Sequence, residues 1–198
     1  MEADWSVELG PELPEIHVPW EGFVDLRLID LRRNPPELHA VAEADQSPAI
    51  ARALTILNGE ASPVFTAKSD IWEMAGTEID PYEFAASQQD ARYGIASYID
   101  LVERSPANVA SFGFHEKRAK GLVDLLRELA VPNGRVDLVI RGARVDGVEG
   151  YGITLYAAGC GGDTGRASAN WEDVLAAAVL ATIGTAGNIP SPARHSGE

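Results

Sequence analysis

The apolar positions between residues 48 and 129 fall largely at helical spacing. Ile50, Ala53, Leu54 and Leu57 share one face of a segment that stops at Asn58-Gly59, a pair suited to a left-handed helix exit. Ala91, Ile95, Tyr98 and Val102 recur three or four residues apart, and Phe112, Ala119, Leu122, Leu126 and Leu129 form a longer stripe that ends near Pro132-Asn133-Gly134. Start signals accompany these stretches. Asn34-Pro35, Ser47-Pro48, Asp80-Pro81 and Ser105-Pro106 each place a side chain that can accept a backbone N–H directly before a residue whose fixed φ suits the first helical position. Glu37 and Glu83 lie three residues past their caps, where they can complete a capping box. The pattern predicts helices at all four starts, with long ones running from Asp80 to about Ala130.

From Arg135 the period changes to two. Val136, Leu138 and Ile140 alternate with polar or smaller neighbours, and Tyr151, Ile153 and Leu155 do so again after Asp146-Gly147 and Gly150, which predicts an antiparallel hairpin from Arg135 to Ala158. A further short strand is expected at Val64 to Thr66. Trp171, Val174, Leu175, Ala178, Val179 and Ile183 mark a last helix, with Asn170 as its expected cap. The fold class read from this pattern is α+β: a helix-rich single domain with a small antiparallel sheet around that hairpin. Pro11, Pro14 and Pro19, set among acids and tryptophans, make residues 1–21 an acidic extended arm. The domain proper is then 22–187, followed by a flexible tail at 188–198.

Composition narrows the function. With 45% apolar residues in 198, the chain can bury a core. Its net charge is −14, and acids from Glu2 to Glu21 precede the first base, Arg27. Such a surface repels a phosphate backbone, so nucleic acid is not an expected partner. The longest apolar run, Leu175 to Ile183, is too short to span a bilayer, and the first residues lack the pattern of a secretory signal. A single cysteine makes no internal disulfide, and four scattered histidines form no spaced ligand set, so neither metal nor cofactor is expected. A bacterial-type cytoplasmic protein with no membrane partner is the resulting expectation.

One stretch has the outline of a reactive site. In "YAAGCGGDTGRAS", Tyr156 to Ser168, Cys160 is followed six positions later by Arg166. This spacing resembles the phosphate-binding loop of cysteine-dependent protein phosphatases. The resemblance implies that the Cys160 thiolate attacks phosphorus, that loop amides bind the equatorial oxygens, and that Arg166 forks onto two of them. Asp70, Asp80 or Asp100 would then supply the acid that protonates the leaving group. Five features depart from the family. Asp163 puts a carboxylate where a dianion must sit, Gly159 stands in place of the usual histidine, and Ala167 replaces a hydroxyl residue. A helix capped at Asn170 would also start beyond Arg166, and a strand in a hairpin is not the buried parallel strand such a loop follows. A buried Cys160 packing as a small hydrophobe is the leading reading of the thiol.

The remaining candidates are sparser. His115-Glu116 lacks the second histidine of a helical zinc site, because Ala119 occupies that position. His17 and His39 lie near carboxylates in sequence. Trp5, Trp20 and Trp72 fall on segments read as irregular, where tryptophans commonly anchor partners. The functional expectation is a non-catalytic protein acting on a protein partner or on itself, with the acidic arm docking on a basic surface and salt weakening the contact. The alternative is a cysteine-dependent phosphatase or phosphate-binding protein using Cys160 and Arg166.

Overall fold

The computed structural model describes residues 1–19 and 29–184. Its centre is a mixed six-stranded sheet. Six strands belong to it: β1 (Glu2–Glu8), β2 (Ile16–Val18), β3 (Val64–Met74), β4 (Tyr93–Glu103), β5 (Gly134–Val145) and β6 (Val148–Gly161). They lie in the order β1-β5-β6-β4-β3, with β2 also on β5. β1 and β2 run parallel to β5, and the remaining pairs are antiparallel. The architecture is α+β, but the sheet is neither small nor purely antiparallel, which corrects the sequence expectation. The predicted hairpin is there, as β5 and β6, closed by Asp146 and Gly147 with positive φ at both turn residues.

Two segments account for the difference. The first residues are not an arm lying apart from the domain. Ala3 and Trp5 face the core while Glu2, Asp4 and Ser6 face away, and the whole of β1 is hydrogen-bonded to β5 in register Glu2↔Arg135 to Glu8↔Arg141. The second is the expected helix through Ala91 to Val102, which is β4 instead. This strand is central and buried on both faces, so its apolar residues show no alternation, and a run of near-continuous hydrophobicity can imitate helical spacing.

The helical starts are real turns of unequal length. Ser47 Oγ accepts from the Ile50 amide and opens α2 (Pro48–Asn58), after the short α1 (Ala42–Gln46). Asn34-Pro35 opens only a 3₁₀ turn, Pro35–Ala40, and Asp80-Pro81 another, Pro81–Phe84, with Asp80 accepting from the Tyr82 amide. Ser105-Pro106 gives the four-residue α3 (Pro106–Val109), and the long helix α4 (Phe112–Arg127) is capped separately by Ser111. Glu83 does not close a capping box; its carboxylate pairs with Arg135 at 3.1 Å.

The last helix, α5 (Thr164–Thr182), starts earlier than expected. Asp163 caps it by accepting from the Arg166 amide at 2.8 Å, and Asn170 instead donates from Nδ2 to the Cys160 carbonyl. α2, α4 and α5 pack on one face of the sheet around Ile99, Leu138, Ile140, Leu155 and Trp171, whose indole N–H donates to Ser97 Oγ. No described helix is long and apolar enough to cross a membrane. Trp20 and the tail at 188–198 lie outside the described residues.

Candidate functional site

The glycine-rich stretch around Cys160 is occupied by packing. β6 presents Gly159 and Gly161 to α5, whose backbone crosses there. A Cβ on Gly159 would collide with the Trp171 amide nitrogen, and one on Gly161 would lie 2.6 Å from the Ala167 nitrogen. These glycines let a helix approach a strand closely. Cys160 lies between them and points to the opposite face, fully buried with Ile79, Phe84 and Ala91. Burial, with a smaller contribution from Asp90, pushes its thiol up to about 11, away from the thiolate a nucleophile needs. Arg166 lies at the surface, its side chain 71% exposed and 3.7 Å from Asp163. The helix does start near the loop, contrary to the expectation, yet the Arg166 amide in its first turn is taken by Asp163, and the preceding strand is antiparallel to both neighbours. Sulfur and guanidinium therefore do not share a solvent-facing cradle.

The second face of the sheet, opposite the three long helices, carries more functional chemistry. It is closed at each end by a small apolar cluster. Ile16, Val18, Phe65, Val102 and Val109 form one; Ile79, Phe84, Ala91 and Cys160 form the other. Between them lies a trough of about 410 Å³, floored by Ala96, Val139 and Ala158 and bounded by Phe84, Met74 and Tyr156. Its charged lining is four carboxylates, Glu8, Glu78, Glu83 and Asp137, against two guanidinium groups, Arg135 and Arg141. Arg135 grips Asp137 through Nε and Nη2 at 2.6 and 2.9 Å and also meets Glu83. Arg141 is more than nine-tenths buried. Its Nη2 donates to Tyr156 Oη at 3.2 Å and meets Glu8 at 2.9 Å, while Nε and Nη1 have no hydrogen-bond partner.

Alongside the trough runs an aromatic row contributed by three neighbouring strands. Trp72 on β3, Tyr98 on β4 and Tyr156 on β6 have ring centroids 6.4 and 5.9 Å apart. Strand register makes the row, because Tyr98 pairs with Tyr156 and Trp72 lies opposite Ala96, all on one face. Trp72 is 40% exposed. Acids flank the row. Asp70 lies across from Tyr98, Asp137 across from Tyr156, and Asp100 two residues along β4. Burial and then the negative charges of Asp100 and Asp70 push the Tyr98 phenol up to about 12. Burial also raises the Asp100 carboxyl above its ordinary range, against a hydrogen bond from Thr154 Oγ1 at 2.6 Å and the attraction of Lys68 and Arg141.

The other sequence candidates are dispersed. Trp5 is half-buried at the core margin under the Lys120 ammonium, 5.2 Å from the ring centroid. Asp80 is a cap, and of the three aspartates only Asp70 and Asp100 reach the same face. His17 pairs with Glu15, and His39 Nδ1 donates to the Pro36 carbonyl. His115 is buried, donates from Nδ1 to the Ser111 carbonyl, and leaves Nε2 without a partner; burial lowers its pKa. Among the described residues no three His, Cys, Asp or Glu side chains are grouped to hold a metal ion. Sequence reasoning missed Tyr98, Tyr156 and Arg141. For Arg141 and Tyr156, alternation with core residues along β5 and β6 was the available signal; Tyr98, on a strand covered on both faces, offered none, and only cross-strand register shows that the three meet. Comparison with protein-family models, with curated proteins and with solved structures finds no match for this chain.

Proposed function

We propose that the chain is a non-catalytic binding protein that engages a partner protein through the second face of its sheet, in the cytoplasm. The observation that carries this reading is the aromatic row Trp72–Tyr98–Tyr156 beside a trough of about 410 Å³, with Trp72 exposed at the rim. Rigid aromatic rings give large contact area with little loss of side-chain freedom, which is why they dominate protein interfaces. Sheet edges are poorer docking sites here. β3 carries a bulge between Thr66 and Ser69 and the charged residues Lys68, Asp70 and Glu73, devices that discourage strand addition. The buried, raised Cys160 thiol supports a binding role over a phosphatase one.

Panning a displayed random-peptide library on the immobilised protein tests the reading. Enriched peptides are expected to lose at least about ten-fold in affinity on Trp72→Ala and to be indifferent to Arg52→Ala on the helical side. Enriched peptides insensitive to Trp72→Ala and Tyr156→Ala would overturn it.

A further inference from the structure

The geometry points to a basic side chain, lysine or arginine, donated by the partner protein, as the group that seats on the aromatic row Trp72–Tyr98–Tyr156; this inference rests on reading that face as the protein-binding surface. Three observations carry it. Aromatic faces attract cations through their quadrupoles, and here two tyrosines and a tryptophan lie in sequence across adjacent strands with centroids 6.4 and 5.9 Å apart. Carboxylates are placed to complete the pairing. Asp70 lies across from Tyr98 and is exposed, whereas Asp137 and Glu8 are already engaged by Arg135 and Arg141. Negative charge gathers at the middle ring: after burial, Asp100 and Asp70 do most to raise the Tyr98 pKa, while the cations Lys68 and Arg141 act on the neighbouring Asp100.

Charge complementarity selects the occupant. The trough lining holds four carboxylates and two arginines, Asp70 and Asp100 lie just beyond it, and the chain as a whole carries −14. An acidic ligand would meet repulsion on approach, and an apolar one would leave Asp70 facing low-dielectric surface without a counter-ion. A guanidinium or ammonium group satisfies both the rings and the carboxylate. The same field steers basic partners from a distance, so the association should weaken with salt.

The test is a titration of the isotopically labelled full chain with a capped hexa-arginine peptide, with hexa-glutamine as control, at low and high salt. Backbone and indole resonances of Trp72, Tyr98 and Tyr156 are expected to shift with hexa-arginine alone. Affinity should fall about ten-fold on Tyr98→Ala and several-fold on Asp70→Asn, the range expected for losing a cation–π contact and one charge. Asp124→Asn, which removes an equal charge from the exposed side of α4, should leave it unchanged, and thermal melts confirm that each variant folds. Hexa-arginine binding that shifts other residues, or that responds equally to Asp124→Asn and Asp70→Asn, overturns this inference but leaves a protein-binding face intact. Peptides that are selected by panning and lose binding on Trp72→Ala, yet carry no lysine or arginine, overturn it as well. Failure of the panning experiment itself would remove the reading beneath it.

Discussion

Asp100 has one short hydrogen bond, from Thr154 Oγ1 at 2.6 Å, and almost no contact with water. Burial disfavours its charged form and raises its pKa, while Thr154, Lys68 and Arg141 pull the other way without cancelling the effect. The stability consequence has a definite sign. Between the ordinary carboxyl value and the raised one, the folded chain keeps a proton that the unfolded chain has released, so stability falls as pH climbs through that window. Above that window the full cost of the buried charge is present. Asp100→Asn retains an oxygen to accept from Thr154 and removes the charge, so its melting temperature should exceed that of the wild type at pH 7. The advantage should shrink as pH falls through the raised value and below the ordinary carboxyl value of about 4, where Asp100 is protonated in both states. Melts of the two proteins across that range check this, and a less stable variant at pH 7 would mean that Lys68 and Arg141 outweigh burial. Nothing in the sequence singled out Asp100 from Asp70 and Asp80. Three aspartates look alike until strand pairing places one under a sheet face, one at its rim and one on a cap.

At the scale of elements, the meeting of β6 and α5 explains what the glycines near Cys160 do. Alternate residues of a strand face opposite sides, so Gly159 and Gly161 face the helix while Cys160 faces Ile79 and Phe84. Gly159→Ala puts a methyl group against the Trp171 backbone, which cannot yield as a side-chain tip would. A loss of about 3 kcal/mol, the upper end of ordinary overpacking, is the expected outcome in urea unfolding, while Gly165→Ala near the exposed start of the same helix should cost far less. A neutral Gly159→Ala would restore the case for a loop built around an anion. The C-x5-R spacing was legible, but two functions of glycine, cradling a ligand and admitting a helix, share one sequence pattern. α2, the β5–β6 hairpin and most of α5 were legible for the opposite reason. The two helices have one buried and one wetter side, and the hairpin strands alternate large apolar residues with polar or small ones, so each period is written in its composition. β4 was not, because both of its sides are covered.

For the whole molecule, the decisive feature is a pairing between residues more than 130 positions apart. β1 lies parallel to β5, with Glu2 opposite Arg135, and Arg127 on α4 donates from Nε to the Ala3 carbonyl at 2.9 Å. Local patterning cannot reveal such a contact, since a parallel neighbour needs no nearby turn and leaves no turn residues behind. The alternation of Ala3, Trp5 and Val7 with acids was visible, but the prolines that follow pointed to an arm. The two readings differ in what removal of residues 1–8 does. An arm could be cut away with the melting temperature unchanged. A strand cannot: its loss bares the β5 edge along Arg135–Arg141, uncovers Leu138 and Ile140 from one side, deprives Arg141 of Glu8 and removes Trp5 from the core margin. A truncated chain should therefore melt well below the full chain or associate through the exposed edge, as differential scanning calorimetry and light scattering would report. It also follows that truncation is the wrong probe of an acidic docking site. An effect on binding would report the sheet's collapse, and Asp70→Asn or Trp72→Ala, which leave every strand in place, separate recognition from folding.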